Sequence, residues 1–195
     1  MKSICIYCGA SEKIHPDYKL AGRQMGRTLA ENGIRLIYGG GKTGVMGAVA
    51  DGTLEAGGEV TGVLVTSMNT PALAHLGLTV LEVLPTIHER KARMYELAEG
   101  YIALPGGFGT FDELFETITW AQIGEHEKPI GLLNVLRYFD PLMAMVLHAE
   151  KEGFLYPEHR EMISLAETPQ ELLARMNQHQ HPTEAVKRWM RQDQP

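Results

Sequence analysis

Short β-rich apolar runs alternate with amphipathic stretches along nearly the whole chain. Residues 3–8, 34–38, 59–65, 79–84, 101–104 and 129–133 read as strands: they are rich in Ile, Val, Leu and Tyr, and turn residues bound them. Between them lie helical patterns. The first starts near Pro16, well placed in a first helical turn, and stops at Gly33. Others cover 45–56, 88–99, 111–123 and 140–152, with one more at 168–177. Strands separated by helices of this length predict a parallel sheet with right-handed crossovers. No linker, repeat or low-complexity stretch divides the pattern. The expected fold is one Rossmann-like α/β domain over residues 1–180, flanked by helices and followed by a polar C-terminal tail at 181–195, helical or frayed. Ligands of such sheets bind beyond the carboxyl ends of the strands. The turns after Tyr38, Leu84 and Leu104 are therefore the places to search.

Composition narrows the partners more than the fold. A formal net charge of −6 argues against nucleic acid as the main partner, because phosphate-backbone binders are usually basic. An anionic small molecule stays open, provided that positive charge is gathered locally. No apolar run approaches the ~20 residues that span a bilayer, and the first strand lacks the longer apolar core of a signal peptide. The sequence thus predicts a cytoplasmic protein without a membrane partner. Its two cysteines, Cys5 and Cys8, form a C-x-x-C. Redox pairs of that spacing sit at a helix N-terminus, which favours the thiolate. Here Ile6 and Tyr7 lie between them inside a strand pattern, so both cysteines read as structural.

Two glycine clusters carry candidate chemistry. Gly39-Gly40-Gly41-Lys42-Thr43-Gly44 fits G-x-G-x-x-G between a strand and a helix. It follows the second strand, however, and no acid closes the next strand to hold a ribose. Gly41-Lys42-Thr43 resembles the end of a P-loop, but Leu36 stands where that motif needs its first glycine. Two readings remain: a tight turn for close packing, or a lip of a nucleotide site using exposed N–H groups, with Gly40 as candidate.

The second cluster, Pro105-Gly106-Gly107-Phe108-Gly109-Thr110, ends a strand and opens a helix. Its glycines let consecutive N–H groups point at one anion, and the helix adds its positive N-terminal dipole. A phosphate suits that spot. Pro105-Gly106-Gly107-x-Gly109-Thr110-x-x-Glu113 resembles the PGGxGTxxE signature of the LOG ("lonely guy") family of cytokinin-activating phosphoribohydrolases, with all six fixed positions matching. The segments His88–Met94, Tyr38–Gly47, Thr119–Gln122 and Lys128–Asn134 are similar to the family as well. The likeness runs to about Phe154 and fades beyond it. It departs at Ala10, where members often have a second serine.

The resemblance implies hydrolysis of the N-glycosidic bond of cytokinin riboside 5′-monophosphates, and often AMP, giving free base and ribose 5-phosphate without metal or organic cofactor. It implies that Arg90 and Glu113 are the catalytic pair, and that Gly106, Gly107, Gly109 and Thr110 hold phosphate. Lys91, beside Arg90, and Gly9 and Ser11, in the turn after the first strand, are further candidates for phosphate or nucleotide binding. Some members carry an older label as lysine decarboxylases. Nothing in the sequence nominates the Schiff-base lysine that a pyridoxal enzyme needs.

Simpler explanations compete at three places. Thr110-x-x-Glu113 is also a capping box, in which Glu113 would reach back to the helix start. Arg90 projects into the apolar stripe of its helix, between Met94 and Leu97, whereas a surface Arg should lie with Glu89, Arg93 and Glu96. Lys91 borders that stripe and could simply snorkel to water. The helix after Glu113 is apolar on a second side through Trp120 and Ile123, which predicts a homodimer or a higher multiple. Cover by the chain's own C-terminal segment is the alternative. At the level of function, two rivals stand: a protein that binds a nucleotide or nucleotide-containing cofactor without cleaving it, and a nucleotide-dependent transferase.

Overall fold

A computed structural model describes residues 1–184 and 186. Seven parallel strands form one sheet in the order β4-β3-β2-β1-β5-β6-β7: β1 Ser3–Tyr7, β2 Arg35–Tyr38, β3 Val60–Val65, β4 Val80–Leu84, β5 Tyr101–Ala103, β6 Ile130–Leu133 and β7 Ile163–Ala166. β1, β3, β5 and β6 are buried at every residue. That is why they read as continuous apolar runs: a parallel sheet is covered on both faces.

Seven helices named among the described residues do the covering: α1 Pro16–Glu31, α2 Gly44–Glu55, α3 Ile87–Leu97, α4 Phe108–Gln122, α5 Asp140–Lys151, α6 Pro157–Glu161 and α7 Pro169–Asn177. Met25 and Leu29 of α1, Val45 and Val49 of α2, and Leu172 of α7 share one core layer. Met94 of α3 and Leu114 and Ala121 of α4 lie in the other, with Leu142 and Met143 of α5 packed against it. α1 and α2 touch through glycine: a Cβ on Gly26 would overlap the Val49 carbonyl, and one on Gly52 the Arg23 carbonyl. Close backbone approach of this kind tolerates no side chain.

The structure adds a strand and an α-helix to those read from the sequence. β7 extends the sheet beyond β6, and α6 precedes it. α4 also begins at Phe108, three residues before the position expected from periodicity. Cys5 and Cys8 belong to opposite core layers, so they do not form a working pair. Burial pushes both thiols upward, with the negative charge of Glu113 adding to the effect. Val186 packs into the α3–α4 layer, and Thr183 Oγ1 donates to Glu127 Oε1. Of the expected polar tail, residues 185 and 187–195 lie outside the described residues. No helix among those described is long and apolar enough to cross a membrane.

β1 sits where the strand order reverses, with β2–β4 on one side and β5–β7 on the other. The loops leaving β1 and β5 diverge from this switch point, where open α/β sheets place their ligands.

Candidate active site

A cavity of about 650 Å³ opens at that point, within the ~300–1,000 Å³ usual for small-molecule sites. Its walls come from the loops after β1 to β6. Gly9 and Ser11 follow β1, Gly39 and Gly41 follow β2, and Met68 follows β3. Arg90 comes from the start of α3, Pro105, Gly106, Gly107, Gly109 and Thr110 follow β5, and Tyr138 follows β6. Glu113 projects in from the first turns of α4. Most of the remaining lining is apolar, including Ile14, Val45, Leu64, Leu73 and Ile87.

The phosphate-loop candidate is built by mutual contact. The Gly9 amide donates to the Pro105 carbonyl at 3.0 Å, and a Cβ on Gly106 would overlap Thr110 Oγ1 and crowd the Gly9 nitrogen. α4 starts with Gly107 as N-cap, and no side chain caps it. The N–H groups of Phe108, Gly109 and Thr110 therefore have no carbonyl behind them and stand free for an acceptor. Gly107 and Gly109 have open space where a Cβ would be. Free amides, a helix N-terminus and unobstructed approach together make an anion site.

Arg90 and Glu113 meet in the wall. Each is only 7% exposed, although both are charged residue types that are rarely buried. Arg90 Nη1 donates to Glu113 Oε1 at 2.7 Å, and Arg90 Nε to the Val63 carbonyl at 2.9 Å. Burial pushes the Glu113 carboxyl above its ordinary range, and the neighbouring guanidinium opposes this without cancelling it. The pair is electrically balanced, so the free amides of α4 must supply the attraction for an anion. Gly39 makes room for the pair: a Cβ there would overlap the Arg90 guanidinium and the Met46 methyl.

The capping-box alternative for Glu113 does not survive this geometry. Thr110 lies inside α4 and Glu113 bonds to Arg90, so neither completes a box at this helix start. The capping box of this region is Thr86 with Glu89, at α3. Gly106, Gly107, Gly109, Thr110, Gly9 and Ser11 come together around the cavity with Arg90 and Glu113. Two candidates do not. Lys91 points away from it, held by Asp112 at 3.2 Å and Glu116 at 2.9 Å, because one residue along a helix turns the side chain by ~100°. Gly40 has φ +74° and packs against Leu64 outside the lining. It serves the turn, while its neighbours Gly39 and Gly41 form the lip.

Sequence reading missed Gly39, Tyr138, and the apolar contributions of Met68 and Leu73. The glycine run contained a signal for the first. The departure at Ala10 proves harmless to the β1 turn. Thr43 Oγ1 donates to the Ala10 carbonyl, and the amides of Val45 and Met46 both donate to Gly9. No hydroxyl at position 10 is needed.

Comparison with known proteins agrees with this picture. A family model described as "Possible lysine decarboxylase" matches residues 46–176. No lysine lines the cavity among the described residues, so the Schiff base that such a description would require has no candidate there. The chain is 42% identical to a probable cytokinin riboside 5′-monophosphate phosphoribohydrolase, LOGL3, of Oryza sativa, over 91% of this chain and 84% of that one. It is 44% identical to the cytokinin riboside 5′-monophosphate phosphoribohydrolase of Rhodococcoides fascians, over 83% and 82%. In fold it is similar to a molybdenum cofactor binding protein from Rippkaea orientalis, with TM-score 0.69 and 24% identity, covering 91% of this chain and 97% of that one. The molybdenum cofactor carrier protein of Chlamydomonas reinhardtii gives TM-score 0.68 at 20% identity, covering 90% and 95%. These likenesses show a shared fold. The sequence relationship goes further, and the chain belongs to the LOG family of cytokinin riboside 5′-monophosphate phosphoribohydrolases.

Proposed function

We propose that the chain hydrolyses the N-glycosidic bond of cytokinin riboside 5′-monophosphates, AMP or both, releasing free base and ribose 5-phosphate. The observation that carries this reading is the buried Arg90–Glu113 pair facing an uncapped helix N-terminus across one cavity. Relatives at about 40% identity bear the corresponding name.

In this reading the 5′-phosphate rests on the amides of 107–110, which fixes the sugar so that remote binding energy serves the reaction. Cleavage develops positive charge at the ribose carbon that bears the base. The Glu113 carboxylate meets that charge, and directs or deprotonates the water that attacks. Water supplies its hydroxyl to the sugar and a proton to the departing base. Arg90 favours the ionised form of Glu113 against the effect of burial, and from the same wall it binds ribose or phosphate oxygens in this scheme. Both are catalytic residues in this scheme.

A second reading has support from the fold alone, since cofactor carriers share it: nucleotide binding without cleavage. Incubating the pure protein with AMP decides between them. Adenine and ribose 5-phosphate in equal amounts support hydrolysis. Bound, intact AMP supports the carrier reading, and adenine release only with an added acceptor indicates a transferase.

The protein acts, in this proposal, as a dimer. Phe115 and Ile123 of α4 and Met145 and Leu147 of α5 are exposed on the same side of the sheet, although Val186 packs on that layer. Trp120 is half-buried and meets Tyr95 edge-on at 4.8 Å. Sedimentation as a dimer or a multiple of it, abolished by Trp120→Glu, is the expected result. A stable native monomer at micromolar concentration contradicts it.

A further inference from the structure

We propose that Tyr138 is a positioning residue that latches the Gly106–Gly107 peptide in the orientation able to receive phosphate; the inference rests on the hydrolase reading given above. The Tyr138 hydroxyl donates to the Gly106 carbonyl. The chain has no cis peptide among its described residues, so the Gly107 N–H points opposite to that carbonyl across a planar trans unit. Fixing the oxygen therefore fixes the amide. Without a latch this unit flips easily, because a peptide flanked by two glycines meets little steric resistance from either neighbour. A flipped unit would put a carbonyl oxygen where the Gly107 N–H now stands, among the free amides of Phe108, Gly109 and Thr110. That oxygen would repel the phosphate that those amides attract.

The molecule commits several groups to holding Tyr138 in place. Asn134 Oδ1 accepts from the Phe139 amide and Asn134 Nδ2 donates to Asp140 Oδ1, both at 2.8 Å, and Phe139 is fully buried. Between these anchors the chain passes through Leu136 at φ +50° and Arg137 at φ +59°. Two consecutive residues with a Cβ in the left-handed region are uncommon and strained. They are also the positive-φ residues other than glycine among those described, and they immediately precede Tyr138. The Tyr18 ring packs edge-on against Tyr138 at 5.9 Å and Phe139 does so at 5.1 Å, which aims the hydroxyl.

Tyr138→Phe removes the latch and keeps both ring contacts. The expected result is a three- to tenfold rise in KM for AMP, from one lost hydrogen bond of ordinary net strength, with kcat changed by less than about twofold. Inhibition by inorganic phosphate should weaken by the same factor, while kcat/KM for adenosine, which has no phosphate to place, should stay level. A general packing role would instead depress AMP and adenosine alike, and that outcome overturns the proposal, as does an unchanged KM. Tyr138→Leu is the second variant. If Leu weakens phosphate binding and Phe does not, the hydroxyl is not the cause and the proposal falls. Should the wild-type protein release no adenine, the hydrolase reading fails by itself. Calorimetric titration of inorganic phosphate into wild type and Tyr138→Phe then still decides the latch: a three- to tenfold loss upholds it and equal affinity overturns it.

Discussion

The two glycine clusters look alike in sequence and are held for different reasons. In the cluster after β2, Gly40 and Gly44 have φ +74° and +62°, and a Cβ on Gly44 would run into the Ala10 backbone. Those glycines are demanded by the protein's own packing. In the cluster after β5, no glycine has positive φ, and Gly107 and Gly109 would meet nothing within 4 Å if they carried a Cβ. The fold does not ask for glycine at those two positions, although it does at Gly106, where a Cβ would overlap Thr110 Oγ1. Gly109 even costs stability, since glycine within a helix is less favourable than alanine by roughly 0.5–1 kcal/mol. A glycine that packing does not require, at the free end of a helix, is explained by something that must approach the backbone. Motif spelling does not distinguish the clusters, whereas the space around each Cβ does.

The largest effect should come from removing that approaching group. If the second cluster anchors phosphate, AMP should exceed adenosine in kcat/KM by ~10²–10⁴, the scale of several charge-assisted contacts. Comparable values would leave Gly107 and Gly109 without their explanation and make the two clusters alike after all.

Glu113→Gln comes next. It should lower turnover by ~10² or more, because the charge and the base are lost. Gln still offers Arg90 Nη1 an acceptor, so the unfolding free energy should fall by only about 1–3 kcal/mol. Arg90→Ala should remove most activity, and Arg93→Ala should be mild, since Arg93 pairs with Glu82 and Glu96 away from the cavity. The pH profile sharpens the same point. Glu113 must be ionised to act, and burial raises its pKa. Activity should therefore fall as pH drops through a limb above the ordinary Glu value of ~4.3, once kcat/KM is corrected for the substrate phosphate's own titration near pH 6. An acid limb at or below the ordinary value, or near-normal turnover in Glu113→Gln, would remove Glu113 from the mechanism.

Legibility followed how much each feature depends on local pattern. Buried strands β1, β3 and β6 announce themselves as apolar runs. β7 does not: it is a four-residue edge strand, mostly half-buried, with Ser164 in its middle. The Arg90 orientation could be read from helical phase, and the same phase turns Lys91 toward Asp112 and Glu116, which proximity in sequence concealed. The Thr110–Glu113 spelling suggested a cap because the helix start was placed too late. Gly107, not Thr110, opens α4. Tyr138 left no local trace, because its positive-φ approach uses Leu and Arg where a turn would ordinarily advertise itself with glycine or asparagine.

Gly44→Ala tests the first cluster. With positive φ and no room for a methyl, it should destabilise the fold by about 1–3 kcal/mol or more, seen as a lower unfolding midpoint. AMP turnover per folded molecule should fall far less than stability implies. A fully stable Gly44→Ala would remove the packing explanation for that cluster.

The smallest effect is the most discriminating, because its two readouts should move in opposite directions. Gly109→Ala places a methyl in open space on the first turn of α4, at ordinary helical backbone angles. Replacing glycine by alanine at a compatible site stabilises by roughly 0.4–1 kcal/mol, chiefly by restricting the unfolded chain. The unfolding midpoint should therefore rise slightly or hold. The methyl stands at the cavity wall among the free amides, however, so a phosphate can no longer approach as closely, and KM for AMP should rise about tenfold. Adenosine should be nearly indifferent. Measured side by side, higher stability with weaker AMP binding would mean that this glycine serves the ligand and not the fold. Lower stability with unchanged KM would reverse the assignment, making Gly109 a packing glycine like Gly44 and leaving the phosphate to be held elsewhere.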